Sequence, residues 1–177
     1  IEVNTDLPIF IDRAVDLAAH EGYPGHHVYN VLLESNLAKK RNWPEFKVYA
    51  LFSPQSLIAE GTANYGIPMA FPGDERIKFE KEVLFPLAGL NPDEADLFYK
   101  VLDLQKNFSY SGNEAARNFL DGKWTREQAV EWLMKNALRT KDSADKYVSF
   151  IEKYRSYVIN YNLGMDIVKD YIERNGG

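Results

Sequence analysis

Apolar residues recur along most of this chain with the period of an α-helix. The first such segment follows the i, i+3, i+4, i+7 spacing at Leu7, Phe10, Ile11, Ala14, Val15 and Ala18. An amphipathic helix with this pattern carries His20 and Glu21 at its C-terminal end. Pro24 and Gly25 interrupt the pattern, because proline removes a backbone donor and crowds the carbonyl four residues before it. We expect helix to resume after them and to end near the three cations at positions 39–41.

Helix start signals recur in the rest of the chain. Ser53 and Pro54 provide a cap followed by proline at the first helical position, and Asn91 precedes Pro92 in a second start. The stretch 125–128, Thr-Arg-Glu-Gln, reads as a capping box. A last helical pattern runs from position 143 towards 171, and we expect a break at Gly164.

One segment has a different period. Residues 46–52 alternate between apolar and polar side chains well enough to predict a short strand or hairpin.

The sequence thus predicts an all-α fold with this one exception, in a single domain over residues 1–177. The length is enough to bury a core, and 45% apolar with 27% charged residues is ordinary globular composition. Because the chain begins at Ile1 and ends in Asn-Gly-Gly, we interpret it as a piece of a longer protein.

Charge and cysteine content narrow the classes of function. The net charge is −5 and no basic stripe offsets it, which argues against binding to nucleic acid or to an anionic membrane surface. No apolar run approaches the length of a membrane span. The chain has no cysteine, so disulfides, thiolate zinc sites and cysteine nucleophiles are excluded.

The histidines are the least ordinary feature of the sequence. All three fall within eight positions, at His20, His26 and His27, in the run His-Glu-Gly-Tyr-Pro-Gly-His-His. Imidazole is a common zinc ligand, and Glu21 directly follows the first histidine, where zinc hydrolases keep their general base. This cluster predicts a metal site that binds one Zn²⁺.

The spacing of the histidines leaves two candidates for the second ligand. The usual H-E-x-x-H motif fails because Pro24 stands four residues after His20. In an unbroken helix, six residues turn His26 by roughly 240°, whereas seven bring His27 to the same face about 10 Å further along. A bulge at the proline-glycine pair would carry His26 into the usual second place. We therefore favour His26 as the ligand, with His27 as the alternative.

Glu60 is the best candidate for a third ligand. It lies on the helix that starts at position 53, and the small residues Gly61 and Ala63 let that helix pack closely on another. Two histidines and a carboxylate leave one zinc position open for water. The alternative for Glu60 is a surface glutamate. Asn64 lies one turn later on the same face and is a candidate to orient a liganding histidine, although for this residue we favour the interpretation as an ordinary polar helix residue.

The two motifs resemble those of the bacterial family called domain of unknown function 885. Its signatures are H-E-x-x-P-G-H-H, which residues 20–27 match at every fixed position, and E-G-W-A-x-Y, which residues 60–65 match except for Thr62. The resemblance implies a mostly helical, zincin-like metallopeptidase of the glutamate-liganded type, exported or held at the cell envelope. It implies zinc ligation by His20, one of the adjacent histidines and Glu60. It also implies that this chain is the C-terminal catalytic part, against which the preceding part of the parent protein packs.

Two further segments extend the resemblance. Residues 115–122 contain Arg117 and are similar to an arginine and aspartate segment of the family, although Lys123 stands where a histidine is usual. Residues 161–164 are similar to a late tyrosine-and-glycine motif. The resemblance implies that Arg117 clamps a substrate carboxylate and that Tyr161 stabilises a tetrahedral oxyanion, a role worth roughly 3 kcal/mol. Alternatively, Arg117 forms a surface ion pair. Tyr161 also ends a helical stripe typical of core packing, made of Tyr147, Tyr154, Tyr157 and Tyr161.

Together these features predict a single-zinc hydrolase that cleaves peptides or peptide-like molecules, with Glu21 as general base and later as proton donor to the leaving amine. A first alternative is a catalytically inactive module that holds metal and binds peptides, which Thr62 and Lys123 favour. A second is a structural helical domain whose histidines bond to one another and to nearby carbonyls.

Overall fold

The computed structural model describes residues 9–176, and every regular element in that range is a helix. The α-helices are α1 (Asp12–Leu17), α2 (His26–Leu33), α3 (Pro54–Ala70), α4 (Glu75–Phe79), α5 (Phe85–Leu87), α6 (Ala95–Lys106), α7 (Ser111–Leu120), α8 (Arg126–Asn136), α9 (Lys141–Tyr154) and α10 (Leu163–Arg174). π-Helical turns extend three of them at Ala18–Gly22, Glu34–Lys40 and Glu80–Leu84. Short 3-10 helices occupy Pro44–Lys47, Pro92–Glu94 and Arg155–Asn160.

The predicted all-α fold class is confirmed. Leu7, which belongs to the predicted first helix, lies outside the described residues. In the same range, no helix has the length and apolar character needed to cross a membrane.

The predicted start signals lie at helix ends. Thr125 accepts a hydrogen bond from the backbone N–H of Gln128, whose side chain accepts one from the Thr125 N–H at 2.8 Å, so the predicted capping box is present. Pro54 is the first residue of α3. Asn91 caps the 3-10 turn that leads into α6, because its side chain accepts a hydrogen bond from the Asp93 N–H.

The last helical pattern breaks earlier than predicted. Its interruption is the 3-10 segment Arg155–Asn160 rather than Gly164, because Arg155 has a φ of +53°, which carries the backbone out of α9. Gly164 is the second residue of α10. Its small size serves helix packing there and does not end a helix.

The predicted strand at 46–52 is wrong. Within residues 9–176 no strand is present, and this segment is a 3-10 turn followed by irregular chain. A strand needs a neighbour to satisfy its backbone groups, and this stretch runs over the surface with Val48 and Phe52 largely exposed. The alternation has another origin, since Tyr49 and Leu51 line a cleft while Val48 and Phe52 do not.

The apolar core is divided among several helix contacts. The largest buried cluster joins α7, α8 and α9 around Leu133 and Val148. A second cluster joins α7, α9 and the following 3-10 segment around Ile151 and Val158. A third joins α5 and α6 around Phe85.

α3 lies between the N-terminal and C-terminal parts of the chain. On one side Gly61 meets Gly164 of α10 so closely that a Cβ built on Gly61 would lie 2.2 Å from the Gly164 carbonyl oxygen. On another side Gly66 faces Pro24, whose Cγ would lie 2.9 Å from an added Cβ. The close packing predicted from the small residues after Glu60 is present. It brings the two ends of the described chain together around the middle of α3.

Candidate metal centre

Three side chains with metal-ligating atoms converge at the middle of α3. His20, His26 and Glu60 each offer an atom, and these atoms lie within 4.8 Å of one another. The His20 Nε2 is 3.3 Å from one Glu60 carboxylate oxygen, and the His26 Nε2 is 3.5 Å from the other. Both imidazoles are half-buried and Glu60 is buried. The two rings meet edge to face with centroids 4.6 Å apart.

The turn between the histidines explains this convergence. α1 widens into the π-helical turn Ala18–Gly22, which carries His20, and a turn at residues 23–25 separates it from α2, which begins at His26. The Gly25 N–H donates to the Ala19 carbonyl at 2.9 Å. Only glycine fits at position 25, since an added Cβ would lie 1.9 Å from the His20 carbonyl oxygen. The helix is thus broken by a turn at residues 23–25 rather than continued through a bulge at Pro24 and Gly25, and this break brings His26 beside His20.

His27 lies outside this cluster. Its side chain is exposed on the next position of α2, while His26 points towards Glu60. Between the two alternatives left by the spacing, the structure brings His26 to the site.

Asn64 fixes the orientation of His20. The Asn64 side-chain oxygen lies 2.9 Å from the His20 Nδ1, and its amide nitrogen donates to the Tyr161 carbonyl at 2.8 Å. With Nδ1 paired with Asn64, the His20 ring is held with its Nε2 facing Glu60 and the cluster. Asn64 therefore makes the orienting contact and is not the ordinary polar helix residue that we favoured from the sequence.

The Glu60 carboxylate is held in its charged form. Burial by itself would raise its pKa, but hydrogen bonds with His20, His26 and Tyr157 outweigh burial and lower the pKa of Glu60 to about 2. Burial opposes a charge on His20, yet Glu60 and Asn64 raise the pKa of that imidazole above its ordinary value. The site is therefore built around a buried negative charge, which attracts a cation.

Tyr157 belongs to the site and was not singled out from the sequence. Its hydroxyl donates to the Glu60 carboxylate at 2.6 Å, and its side chain is buried. Burial and the bond to Glu60 raise the pKa of Tyr157 far above its ordinary value. The sequence did not predict this hydrogen bond, because Tyr157 belongs to a stripe of four tyrosines. The helical spacing of such a stripe is the same for a packing residue and for a buried hydrogen-bond donor.

Glu21 and Tyr161 face the same cleft as the cluster. The cleft has a volume of about 720 Å³. Its lining includes the three clustered residues, Glu21, Tyr161, Leu17, Tyr49, Leu51, Ile67, Arg13 and Asp16. Burial, together with the negative charges of Glu60 and Glu21, raises the pKa of Tyr161 to about 12. The phenol therefore keeps its proton at neutral pH and remains a donor towards the cleft.

Arg117 is not at this site. It lies on α7 with 64% of its side chain exposed and pairs with Glu114 at 2.9 Å, one turn away on the same helix. It is absent from the lining of the cleft. The surface ion pair weighed for Arg117 is what the structure contains, and the substrate clamp inferred from the family resemblance finds no support here.

Comparisons with known proteins give no match for this chain. No protein-family model matches the chain, and searches of curated proteins and of solved structures give no match. The family resemblance and the zincin-like fold therefore stay predictions. The function has to be inferred from the residues of this chain.

Proposed function

We propose that this chain is a zinc-dependent hydrolase that cleaves peptide bonds. The observation that carries the proposal is the convergence of His20, His26 and Glu60 from two distant segments, with Glu21 on the wall of the same cleft. Reaction on peptides rather than on other acyl compounds follows the family resemblance of residues 20–27 and 60–65.

The donor set suits zinc. Two imidazole nitrogens and one carboxylate oxygen form a recognised catalytic zinc set, which leaves a fourth position for water or substrate. In a tetrahedral site with bonds of about 2.1 Å, neighbouring ligand atoms lie roughly 3.4 Å apart. Each histidine Nε2 lies near a different oxygen of Glu60, at 3.3 Å from Oε2 for His20 and at 3.5 Å from Oε1 for His26, and the candidate ligand atoms lie within 4.8 Å of one another, so binding through one oxygen needs only a small adjustment of the carboxylate. A zinc ion held there supplies Lewis acidity towards water and the scissile carbonyl.

The remaining groups have roles that follow from their position. Glu21 takes the proton of the attacking water and passes it to the leaving amine, since it directly follows His20 and lines the cleft. Tyr161 stays protonated and donates to the oxyanion that develops on the carbonyl. Leu17, Tyr49 and Leu51 give the cleft an apolar wall for a substrate side chain.

Metal content tests the ligand set. We expect wild-type protein, supplied with zinc and then dialysed, to hold close to one zinc per chain by elemental mass spectrometry. His20→Ala, His26→Ala and Glu60→Ala should each lose it. His27→Ala is the matched control, because it removes an adjacent but exposed imidazole, and it should retain zinc. Wild-type protein that holds no zinc would overturn the proposal.

Glu21→Gln separates metal binding from catalysis. The variant keeps a side chain of the same size but cannot accept a proton, so we expect zinc content to be unchanged and kcat on a peptide substrate to fall by about 10²–10⁴-fold. Full activity in Glu21→Gln would refute the base assignment. Wild-type protein that holds zinc and binds peptides without cleaving them would instead establish the second candidate function, a metal-holding peptide-binding module. Thr62 motivates that candidate, because it stands where the family that this chain resembles has tryptophan.

A further inference from the structure

Tyr157 makes a hydrogen bond that links the end of the chain to the middle of α3. It lies in the 3-10 segment Arg155–Asn160, 97 positions after Glu60, and its hydroxyl is 2.6 Å from the Glu60 Oε1. Only 8% of Tyr157 and 6% of Glu60 are exposed. Water therefore has little access to replace this bond.

The two oxygens of the Glu60 carboxylate have different surroundings. Oε2 faces the His20 Nε2 at 3.3 Å. Oε1 faces the His26 Nε2 at 3.5 Å and also accepts the shorter bond from Tyr157. A glutamate carboxylate turns freely about its last side-chain torsion, so a donor fixed on one oxygen restricts that rotation and defines how the other is presented.

The neighbouring tyrosine shows that aromatic packing alone does not account for Tyr157. Tyr161 lies one turn later with its ring 5.8 Å from that of Tyr157, in an edge-to-face contact. Tyr161 is 38% exposed and lines the cleft, whereas Tyr157 points inward to the carboxylate. One turn of chain thus presents one phenol to the cleft and the other to the ligand carboxylate.

We propose that Tyr157 is a positioning residue that holds the Glu60 carboxylate in the orientation required to bind a divalent metal ion. This inference rests on the proposed function, because it needs a metal at His20, His26 and Glu60. A phenol suits the role since it is neutral: it donates to the carboxylate without cancelling the negative charge that attracts the cation. Partners of this kind typically change metal affinity by 10–100-fold.

Tyr157→Phe tests the proposal, because it removes the hydroxyl and keeps the ring. We expect zinc affinity, measured by competition with a chromophoric chelator, to fall by about 10–100-fold. The matched control is Tyr154→Phe. Tyr154 packs against the Tyr157 ring with centroids 6.3 Å apart, yet its hydroxyl makes no hydrogen bond with Glu60 among the described residues. Its variant should bind zinc as the wild type does.

The visible spectrum of the cobalt-loaded protein supplies a second readout. A change confined to packing would leave the bands of bound Co²⁺ as they are, whereas a freed carboxylate changes the ligand geometry and shifts them in Tyr157→Phe but not in Tyr154→Phe. If the phenylalanine variant does not fold, Tyr157→Met removes the same hydroxyl with an adaptable apolar side chain. Unchanged zinc affinity and cobalt spectrum in a variant without the hydroxyl would overturn this inference alone. Wild-type protein without zinc would overturn the proposed function and this inference together.

Discussion

Asn64 connects the candidate metal site to the C-terminal part of the chain. It accepts a hydrogen bond from His20 and donates one to the Tyr161 backbone, so a single side chain holds both the His20 ring and the segment that presents Tyr161 to the cleft. A liganding histidine usually gives its second N–H to such an acceptor, which fixes its tautomer.

We expect Asn64→Ala to weaken zinc binding by about 10–100-fold, because the His20 ring loses its acceptor. The free energy of unfolding should also fall by about 0.5–1.5 kcal/mol, since the hydrogen bond to the Tyr161 carbonyl is lost. Chelator competition and urea unfolding measure the two effects. Thr62→Ala on the same helix is the control, because the Thr62 hydroxyl bonds only back to its own helix. Zinc affinity equal to that of the wild type in Asn64→Ala would contradict this role.

At the level of residues, local patterns predicted much of the site. The His-Glu and His-His pairs mark a metal-binding chemistry, and Glu60 follows a clear helix start, so the sequence pointed to three side chains that the fold brings together. The role of Tyr157 was not predicted because its hydrogen-bond partner, Glu60, lies 97 positions away in the sequence, and no local pattern encodes a contact at that separation. Arg117 was singled out from a short likeness in sequence, which carries no information on whether its face of α7 turns to the cleft.

α3 and α10 can pack closely beside the site because each has a glycine at the point of contact. α3 and α10 approach at Gly61 and Gly164, where the backbone of one helix occupies the space of a side chain on the other. This contact sets the distance between Glu60, the residue before Gly61, and the C-terminal segment that supplies Tyr157 and Tyr161.

Gly61→Ala should therefore destabilise the protein by about 1–3 kcal/mol or more, because its Cβ would lie 2.2 Å from the Gly164 carbonyl oxygen and the helices must separate. Urea unfolding followed by circular dichroism measures the change. Gly22→Ala is the matched control, since an added Cβ there meets nothing within 4 Å. Alanine should leave stability unchanged or raise it by up to about 1 kcal/mol through better helix propensity. Equal stability of the two variants would show that the α3–α10 contact tolerates a side chain.

Helices were predictable where apolar period and caps agree, as at Pro54 and Thr125. The prediction for residues 46–52 was wrong because alternation shows only that every second side chain faces a different environment. An irregular surface segment that lines a cleft has the same alternating pattern as a strand. The pairing of α3 with α10 was not predictable either. A small residue such as Gly61 shows that a helix allows a close neighbour without identifying which helix that neighbour is.

For the molecule as a whole, an ion-pair network joins the helix that leads to His20 to the region after α3. The Arg76 guanidinium on α4 bonds to Asp16 at 2.7 Å, to Glu80 at 3.0 Å and to the Asp12 carbonyl at 2.9 Å. Glu80 is fully buried, and its second oxygen has no hydrogen-bond partner among residues 9–176. Burial raises the pKa of Glu80, an effect that Arg76 partly offsets.

Arg76→Met should destabilise the protein by about 3–5 kcal/mol at pH 7, because it leaves the buried Glu80 charge without its partner. The loss should shrink as the pH falls. Without Arg76 the pKa of Glu80 rises further, so the destabilisation is complete above that raised pKa, declines as the pH falls below it, and is lost only below the pKa of Glu80 in the unfolded chain. Urea unfolding at pH 7 and pH 5 measures both quantities. Arg117→Met removes an exposed arginine from a surface pair, and it should cost less than about 1 kcal/mol at either pH. A loss in Arg76→Met as small as that of Arg117→Met, or one that does not change between the two pH values, would show that Glu80 does not depend on Arg76 for its charge.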